Sequence, residues 1–152
     1  MHDRDPAHWL WRLSDRDWLD AAERELELGR EHLGSRRTAI THARRAAGMA
    51  LNGVLVAMAT RGWSRERCET VWGRSYLDHL RSLADPERAS HEPLGPEQSE
   101  GCRTLLDIPV MPHTGLVRLA ARKDEASSWA IAVATEIVRA CAAVLGDPTN
   151  SN

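Results

Sequence analysis

The amino-acid sequence predicts an all-α protein: an antiparallel up-and-down four-helix bundle with short extra helices in the connection between its third and fourth helices. Three observations lead to this prediction. Apolar side chains recur every three or four residues along four long segments, as on the buried face of an α-helix. Residues that cap or end helices stand at the ends of these segments. No stretch alternates apolar and polar residues over five or more positions, as a half-buried β-strand would.

The first two helices are expected over residues 15–33 and 36–61. Ser14 can cap the first helix, and the acids in its first turn favour the positive end of the helix dipole. The second helix is apolar nearly all round over residues 49–59, so it should be the most buried helix of the bundle. Gly62 is placed to end it in a left-handed conformation.

The rest of the chain is predicted to form shorter elements and one further long helix. Ser64 can cap the third helix, and the loop prediction rests on a high content of proline and glycine. In chain order we expect a third helix over 65–84 that could break at Gly73, a loop over 85–101, short helices at 105–108 and 116–120, and a last helix over 124–145.

The domain organisation follows from these elements. Residues 15–146 are expected to form the bundle, residues 1–14 an N-terminal segment, and residues 147–152 a flexible tail. The N-terminal segment contains Trp9 and Trp11. Exposing two tryptophans to water is unfavourable, so they should either cover the bundle or contact a partner.

Composition limits the classes of function. The chain has 152 residues, which suits one domain, and a formal net charge of −2, which gives no overall attraction to nucleic acid or an acidic membrane. Its N-terminus is too charged for a signal peptide, and no apolar run approaches about 18 residues. The three cysteines form no C-x-x-C pair. We therefore expect a soluble, cytoplasmic protein that does not bind a membrane.

The sequence contains no motif that predicts a cofactor or a metal site. The sequence contains no P-loop, no G-x-S-x-G, no G-x-G-x-x-G and no His-Glu-x-x-His. No histidine has a glutamate three residues before it, as the Glu-x-x-His motif of carboxylate-bridged metal bundles requires. A small-molecule or metal site assembled from separate elements remains an alternative. The histidines that could contribute to it are His32, His42, His79, His91 and His113.

A basic cluster near the start of the second helix is the strongest candidate for a binding site. Ten consecutive residues contain no acid, and the N-terminus of a helix favours anions. This pattern predicts an anion- or nucleotide-binding patch formed by Arg36, Arg37, His42, Arg44 and Arg45. The alternative is a solvated charge seam in which Glu23, Glu27 and Glu31 of the first helix face these residues.

Four segments of the chain resemble HEPN domains (higher eukaryotes and prokaryotes nucleotide-binding). Residues 42–57, with paired alanines and an Ala-Leu run, are similar to the second helix of that family. Residues 18–26, 73–80 and 126–144 are similar to its first, third and closing helices. The resemblance implies an up-and-down bundle, usually a homodimer, that either cleaves RNA without metal or binds a nucleotide or a partner such as a minimal nucleotidyltransferase.

The ribonucleases of the HEPN family carry an Arg-x(4–6)-His motif at the start of the final helix. Residues 118–129 of this sequence contain arginines at that place but no histidine. We therefore expect a non-catalytic HEPN-like module that binds a nucleotide or a protein partner.

A divergent metal-independent ribonuclease or toxin, as found in toxin–antitoxin pairs, is the alternative. It would act on RNA through Arg74 and His79 or through Arg37 and His42. The composition alone produces roughly three accidental matches to so short a motif, so the matches carry little information.

Overall fold

The fold is all-α, as predicted. A computed structural model describes residues 9–87, 92–110 and 125–146, and this part of the chain contains helices and no strand. The helices are α1 (Asp15–Glu31), α2 (Arg36–Thr60), α3 (Arg65–Thr70), α4 (Tyr76–Ala84), α5 (Pro96–Asp107) and α6 (Glu125–Leu145).

Helix α2 is the centre of the structure and packs against each of the other five helices. It was expected to be the most buried helix, and thirteen of its 25 residues are buried. Small side chains on its surface let neighbouring helices approach closely, since an alanine adds only one methyl group to the contact. The alanines with no exposed surface are Ala39, Ala43, Ala46, Ala47 and Ala50.

Helix α1 runs antiparallel to both α2 and α6. Its first turn lies against Gly53, near the end of α2, whereas Gly29, near its own end, lies against His42 in the first half of α2. On the other side, Gly29 contacts Ile131 in the first third of α6, and Arg16 donates a hydrogen bond to the carbonyl of Gly146 beyond the end of α6. These contacts fix the direction of three long helices.

The predicted third helix is broken at Gly73. The glycine has φ +87°, a conformation that L-residues rarely adopt, and an added Cβ would lie 2.6 Å from the Cβ of Asp78. Ser75 then caps α4 by accepting from the amide of Asp78, whose carboxylate accepts from the amide of Ser75. Ser64 caps α3 as expected, and Ser14 caps α1.

The loop predicted over residues 85–101 is wrong in its second half, because α5 begins at Pro96. Proline suits the first turn of a helix, where its missing N–H has no intrahelical partner. The Gln98 side chain accepts from the Gly95 amide and closes this N-terminus. The short helix expected at 105–108 is the end of α5, which stops at Asp107. The helix expected at 116–120 lies outside the described residues.

The tryptophans of the N-terminal segment pack on the bundle. The Trp9 ring lies 5.1 Å from that of Trp18 and 5.3 Å from that of Tyr76. The indole N–H of Trp11 donates to the carboxylate of Glu69 at 2.8 Å. Of the two expected alternatives, contact with the bundle is therefore the one observed.

Helix α6 extends from Glu125 to Leu145, within one residue of its predicted start. By length and composition it could cross a membrane, and 39% of its apolar window is buried in this structure. The core helix of a soluble protein passes the same test, so α6 does not decide whether the chain meets a membrane.

Gly48 should be intolerant of a side chain. We expect Gly48→Ala to destabilise the fold by about 1–3 kcal/mol, because the added methyl group collides with the ring of Tyr76. Urea unfolding monitored by circular dichroism measures the change. Gly34→Ala is the matched control, since no atom lies within 4 Å of its added Cβ. Equal stability of the two variants would contradict the close contact between α2 and α4.

Candidate functional site

The predicted basic cluster does not form one patch, because successive residues of an α-helix point about 100° apart. Arg44 is directed to the C-terminal end of α5. Its Nε donates to the carbonyl of Leu105 at 2.9 Å, and its Nη2 donates to those of Leu106 and Ile108 at 3.3 Å. Burial lowers the pKa of Arg44. Arg44 was predicted to bind an anion, but it satisfies the orphan carbonyls of a helix end instead.

Arg36 and Arg37 lie in the first turn of α2, where Arg36 is half-buried and Arg37 is exposed. His42 is five positions after Arg37, so the two side chains point about 140° apart around the helix. They do not face a common group from one side of α2. The proposed catalytic pair of Arg37 and His42 is therefore not supported by the fold.

His42 and Arg45 are brought together by Glu25, a carboxylate of α1 that is only 7% exposed. Glu25 Oε2 lies 2.5 Å from His42 Nδ1, and Glu25 Oε1 lies 3.1 Å from Arg45 Nη2. One of the two alternatives predicted from the sequence was a charge seam between α1 and α2, in which other acids of α1 faced the basic residues. Glu25 provides it in place of Glu23, Glu27 and Glu31, which are exposed.

The hydrogen bonds fix the tautomers of two histidines. A carboxylate only accepts, so His42 carries its proton on Nδ1 and has Nε2 left for a ligand. His32 Nδ1 lies 2.8 Å from the carbonyl of Leu28 and is likewise the donor. The two imidazole centroids are 5.9 Å apart. Both rings are thus oriented by neighbouring groups on α1.

Tyr76 forms the border of this site towards α4. Burial raises the pKa of Tyr76 to about 12. The positive charge of Arg45 lowers this pKa and the negative charge of Glu25 raises it, so both charged groups lie close to the phenol. The hydroxyl stays protonated at neutral pH and can donate a hydrogen bond. We name Glu25, His32, His42, Arg45 and Tyr76 the α1–α2 cluster. Trp9 contacts Tyr76 at the edge of this cluster.

His79 was the other candidate for catalysis, with Arg74. It is only 4% exposed, and burial lowers its pKa, so the ring is neutral in the folded protein. Arg74 is exposed at the start of α4, whereas His79 lies in the core. A histidine that a substrate cannot reach cannot act as its acid or base, so the pair of Arg74 and His79 is wrong as a ribonuclease site.

The surroundings of His79 also determine how Asn52 is oriented. Nδ1 lies 3.0 Å from the carbonyl of Trp72, and Nε2 lies 2.8 Å from Oδ1 of Asn52. A neutral ring has one N–H, and the Trp72 carbonyl takes it, so Nε2 must accept. Turning the side-chain amide of Asn52 by 180° brings its NH2 group to His79 Nε2, to which it can donate a hydrogen bond. This orientation also gives a partner to Asn52 Nδ2, which otherwise has none in the core.

The described residues contain no group of three or more His, Cys, Asp or Glu side chains that could hold a metal ion. His91 and His113 lie outside those residues. Cys68, Cys102 and Cys141 are buried free thiols in separate helices. Burial raises the pKa of all three, so they are poor nucleophiles at neutral pH.

Glu25, Tyr76 and Trp9 were not predicted as site residues. A usable signal existed for Glu25, which lies seven residues after Trp18, on the apolar stripe of α1 rather than on its acidic face. An acid on a buried stripe needs a partner. No comparable signal placed Trp9 next to Tyr76, because their contact joins segments 67 residues apart in the sequence.

No protein-family model, no curated protein and no solved structure matches this chain. The resemblance to HEPN domains therefore remains a prediction.

Arg44 should contribute to stability and not to ligand binding. We expect Arg44→Met to destabilise the fold by about 1–3 kcal/mol, because three carbonyls near the end of α5 lose their donor. Urea unfolding gives the difference. The control is Arg37→Met, an exposed position where we expect a change within about 0.5 kcal/mol. A stability of Arg44→Met equal to that of the control would refute the capping role.

His79 should make stability depend on pH below neutrality. Its pKa is lowered in the folded protein from an ordinary value of 6.5, so the unfolded chain binds the proton more readily. Stability is fully present above pH 6.5 and falls as the pH drops towards the lowered pKa, by up to about 1.4 kcal/mol per pH unit. Urea unfolding at several pH values should show a shallower decline for His79→Gln.

The control for this prediction is His32→Gln, since His32 is an exposed residue outside the core. It should retain the decline of the unmodified protein. If His79→Gln and the unmodified protein lost stability in parallel over this range, His79 would not be the group responsible.

Proposed function

We propose that this chain is a non-catalytic, HEPN-like helical module that binds a nucleotide at the α1–α2 cluster. One observation carries the proposal: a buried carboxylate, Glu25, holds His42 and Arg45, and Arg45 lies close to Tyr76, whose ring contacts that of Trp9. A nucleotide combines a planar ring with phosphate groups, and these residues offer partners to both.

The aromatic pair supplies a surface for the base. Trp9 is 39% exposed although it contacts Trp18 and Tyr76, so part of its ring faces solvent. Stacking a base on an aromatic side chain contributes about 1–3 kcal/mol and tolerates any base. A preference between bases would then have to come from neighbouring donors such as the Tyr76 hydroxyl.

Arg45 supplies the positive charge for the phosphates. Its side chain is 49% exposed, and its Nη2 lies 3.1 Å from Oε1 of Glu25. The remaining donors of the planar fork can bind phosphate oxygens.

The positions of the two histidines that matched the ribonuclease motif support a module without catalysis. His79 is enclosed by the core, and His42 is turned away from Arg37. A metal-independent ribonuclease needs an arginine and a histidine at one phosphate. Neither motif match meets this requirement within the described residues.

A protein partner, such as a minimal nucleotidyltransferase, is the second candidate ligand. Tryptophan, tyrosine and arginine are the residue types that dominate the energy of protein interfaces. The specific observation in its favour is Leu77, which is an exposed apolar residue next to Tyr76. Such a partner would cover the same surface, so variants of the cluster test both candidates.

The nucleotide proposal is tested by calorimetric titration with ATP in the absence of metal. We expect ATP to bind more tightly than tripolyphosphate, which has no ring, and than adenosine, which has no phosphate. Arg45→Gln should weaken ATP binding about tenfold or more through loss of charge-assisted hydrogen bonds. Tyr76→Leu should weaken ATP and adenosine but leave tripolyphosphate unchanged.

Arg81→Gln is the matched control, since Arg81 is an exposed arginine on α4 that pairs with Asp78. It should bind ATP like the unmodified protein. The proposal fails if ATP does not bind, or if Arg45→Gln and Arg81→Gln are indistinguishable. Metal-independent RNA cleavage that His42→Ala abolishes would show instead that the module is an enzyme.

A further inference from the structure

A narrow cavity lies between the N-terminal segment and the core, and the proposed nucleotide site does not use its polar side chains. Its volume is about 20 Å³. Trp9 and Leu10 line it from the N-terminal segment, and the exposed Arg74 lines it from the link before α4. The buried side chains of Asn52 and His79 line it from the core. The cavity therefore extends from the surface into a polar part of the core.

Asn52 has unused hydrogen-bonding groups in this cavity. The residue is only 2% exposed. One heavy atom of its side-chain amide lies 2.8 Å from His79 Nε2, and the other has no hydrogen-bond partner in the described part of the chain. An amide can donate two hydrogen bonds and accept two, so turning it leaves some of this capacity unused in either orientation. A buried polar group without a partner is unfavourable, and most such groups in proteins have one.

The other buried polar side chains of the cavity do not supply the missing partner. The Cys68 thiol donates to the carbonyl of Leu55 at 3.3 Å, so its proton is already used. The one N–H of the neutral His79 ring goes to the carbonyl of Trp72, and its other nitrogen already contacts Asn52. The second half of the Asn52 amide therefore faces a cavity rather than a protein donor or acceptor.

The volume of the cavity selects water as its ligand. One water molecule needs roughly 10–15 Å³, and the cavity leaves no room for a phosphate group or a nucleotide base. Water both donates and accepts, so it suits Asn52 in either orientation of the amide. The Glu69 carboxylate and the Cys68 sulfur line the same cavity and can accept a further hydrogen bond. A buried water usually has two to four such partners.

We propose that one water molecule binds in this cavity and forms a hydrogen bond with the side-chain amide of Asn52. The water extends a chain of hydrogen bonds that begins at the Trp72 carbonyl and passes through His79 to Asn52. This chain joins the link between α3 and α4 to α2, and the water connects it to the cavity beneath the N-terminal segment. The inference does not depend on the nucleotide proposal, because no contact with a nucleotide enters it.

NMR spectroscopy of water–protein contacts in the isotope-labelled protein tests the proposal. We expect a nuclear Overhauser cross-peak between water and the side-chain NH2 group of Asn52, with the sign of a water molecule that tumbles with the protein. Gln98 is the matched control, since its amide is half-buried and its oxygen accepts from the Gly95 amide. Its NH2 group should show only the signal of short-lived surface water.

Two substitutions of Cys68 show whether the signal comes from the cavity. Cys68→Val adds about 30 Å³, the share of one water molecule in the liquid, and should abolish the cross-peak of Asn52. Cys68→Ala removes the thiol without filling the cavity and should keep the cross-peak, and circular dichroism shows whether both variants fold. The proposal is overturned if Asn52 of the unmodified protein gives no such cross-peak, or if Cys68→Val folds and retains it.

A crystal structure of the unmodified protein gives a second test that needs no variant. We expect an ordered water within hydrogen-bond distance of the Asn52 amide. A cavity without ordered water, with both amide atoms of Asn52 bonded directly to protein groups, would overturn the proposal.

Discussion

Close approach along α2 is the constraint on which the rest of the structure depends. Glycine and alanine at its contact positions allow α1, α4 and α6 to pack near its backbone. The ring of Tyr76 occupies the space that a side chain at Gly48 would fill, and the first turn of α1 lies against Gly53. The separations of the helices, and hence the positions of every side chain between them, follow from these small residues.

The α1–α2 cluster illustrates this dependence. Glu25 is buried because α1 lies close to α2, and a buried carboxylate is stable only when it is paired. The two partners stand three residues apart on α2, which brings them to one face of the helix. Local packing thus orients His42 and Arg45, and the chemistry available at the surface is a consequence of the core beneath it.

The predictions from sequence were most accurate where periodicity was strong. Helices α1, α2 and α6 lie within a few residues of their expected bounds, and the break at Gly73 was expected. The N-terminal part of α5 was missed because glycines and prolines dominate the sequence before it, although Pro96 is a favourable first residue for a helix.

The candidate site was harder to predict than the fold, because adjacency in sequence is not adjacency on a helix surface. Arg44 and Arg45 are consecutive, yet one contacts the end of α5 and the other contacts α1. The spacing between Arg74 and His79 contained no information about burial. Only the tertiary contacts distinguish a histidine that reaches solvent from one that holds Asn52 and Trp72 together.

Helix α1 separates two surfaces of different character. Glu25 and His32 are on the side that faces the first half of α2, whereas Glu27 and Arg30 are on the side that faces α6. A substitution of Glu27 or Arg30 therefore changes the side that faces α6 without touching the ion pairs that Glu25 forms with His42 and Arg45.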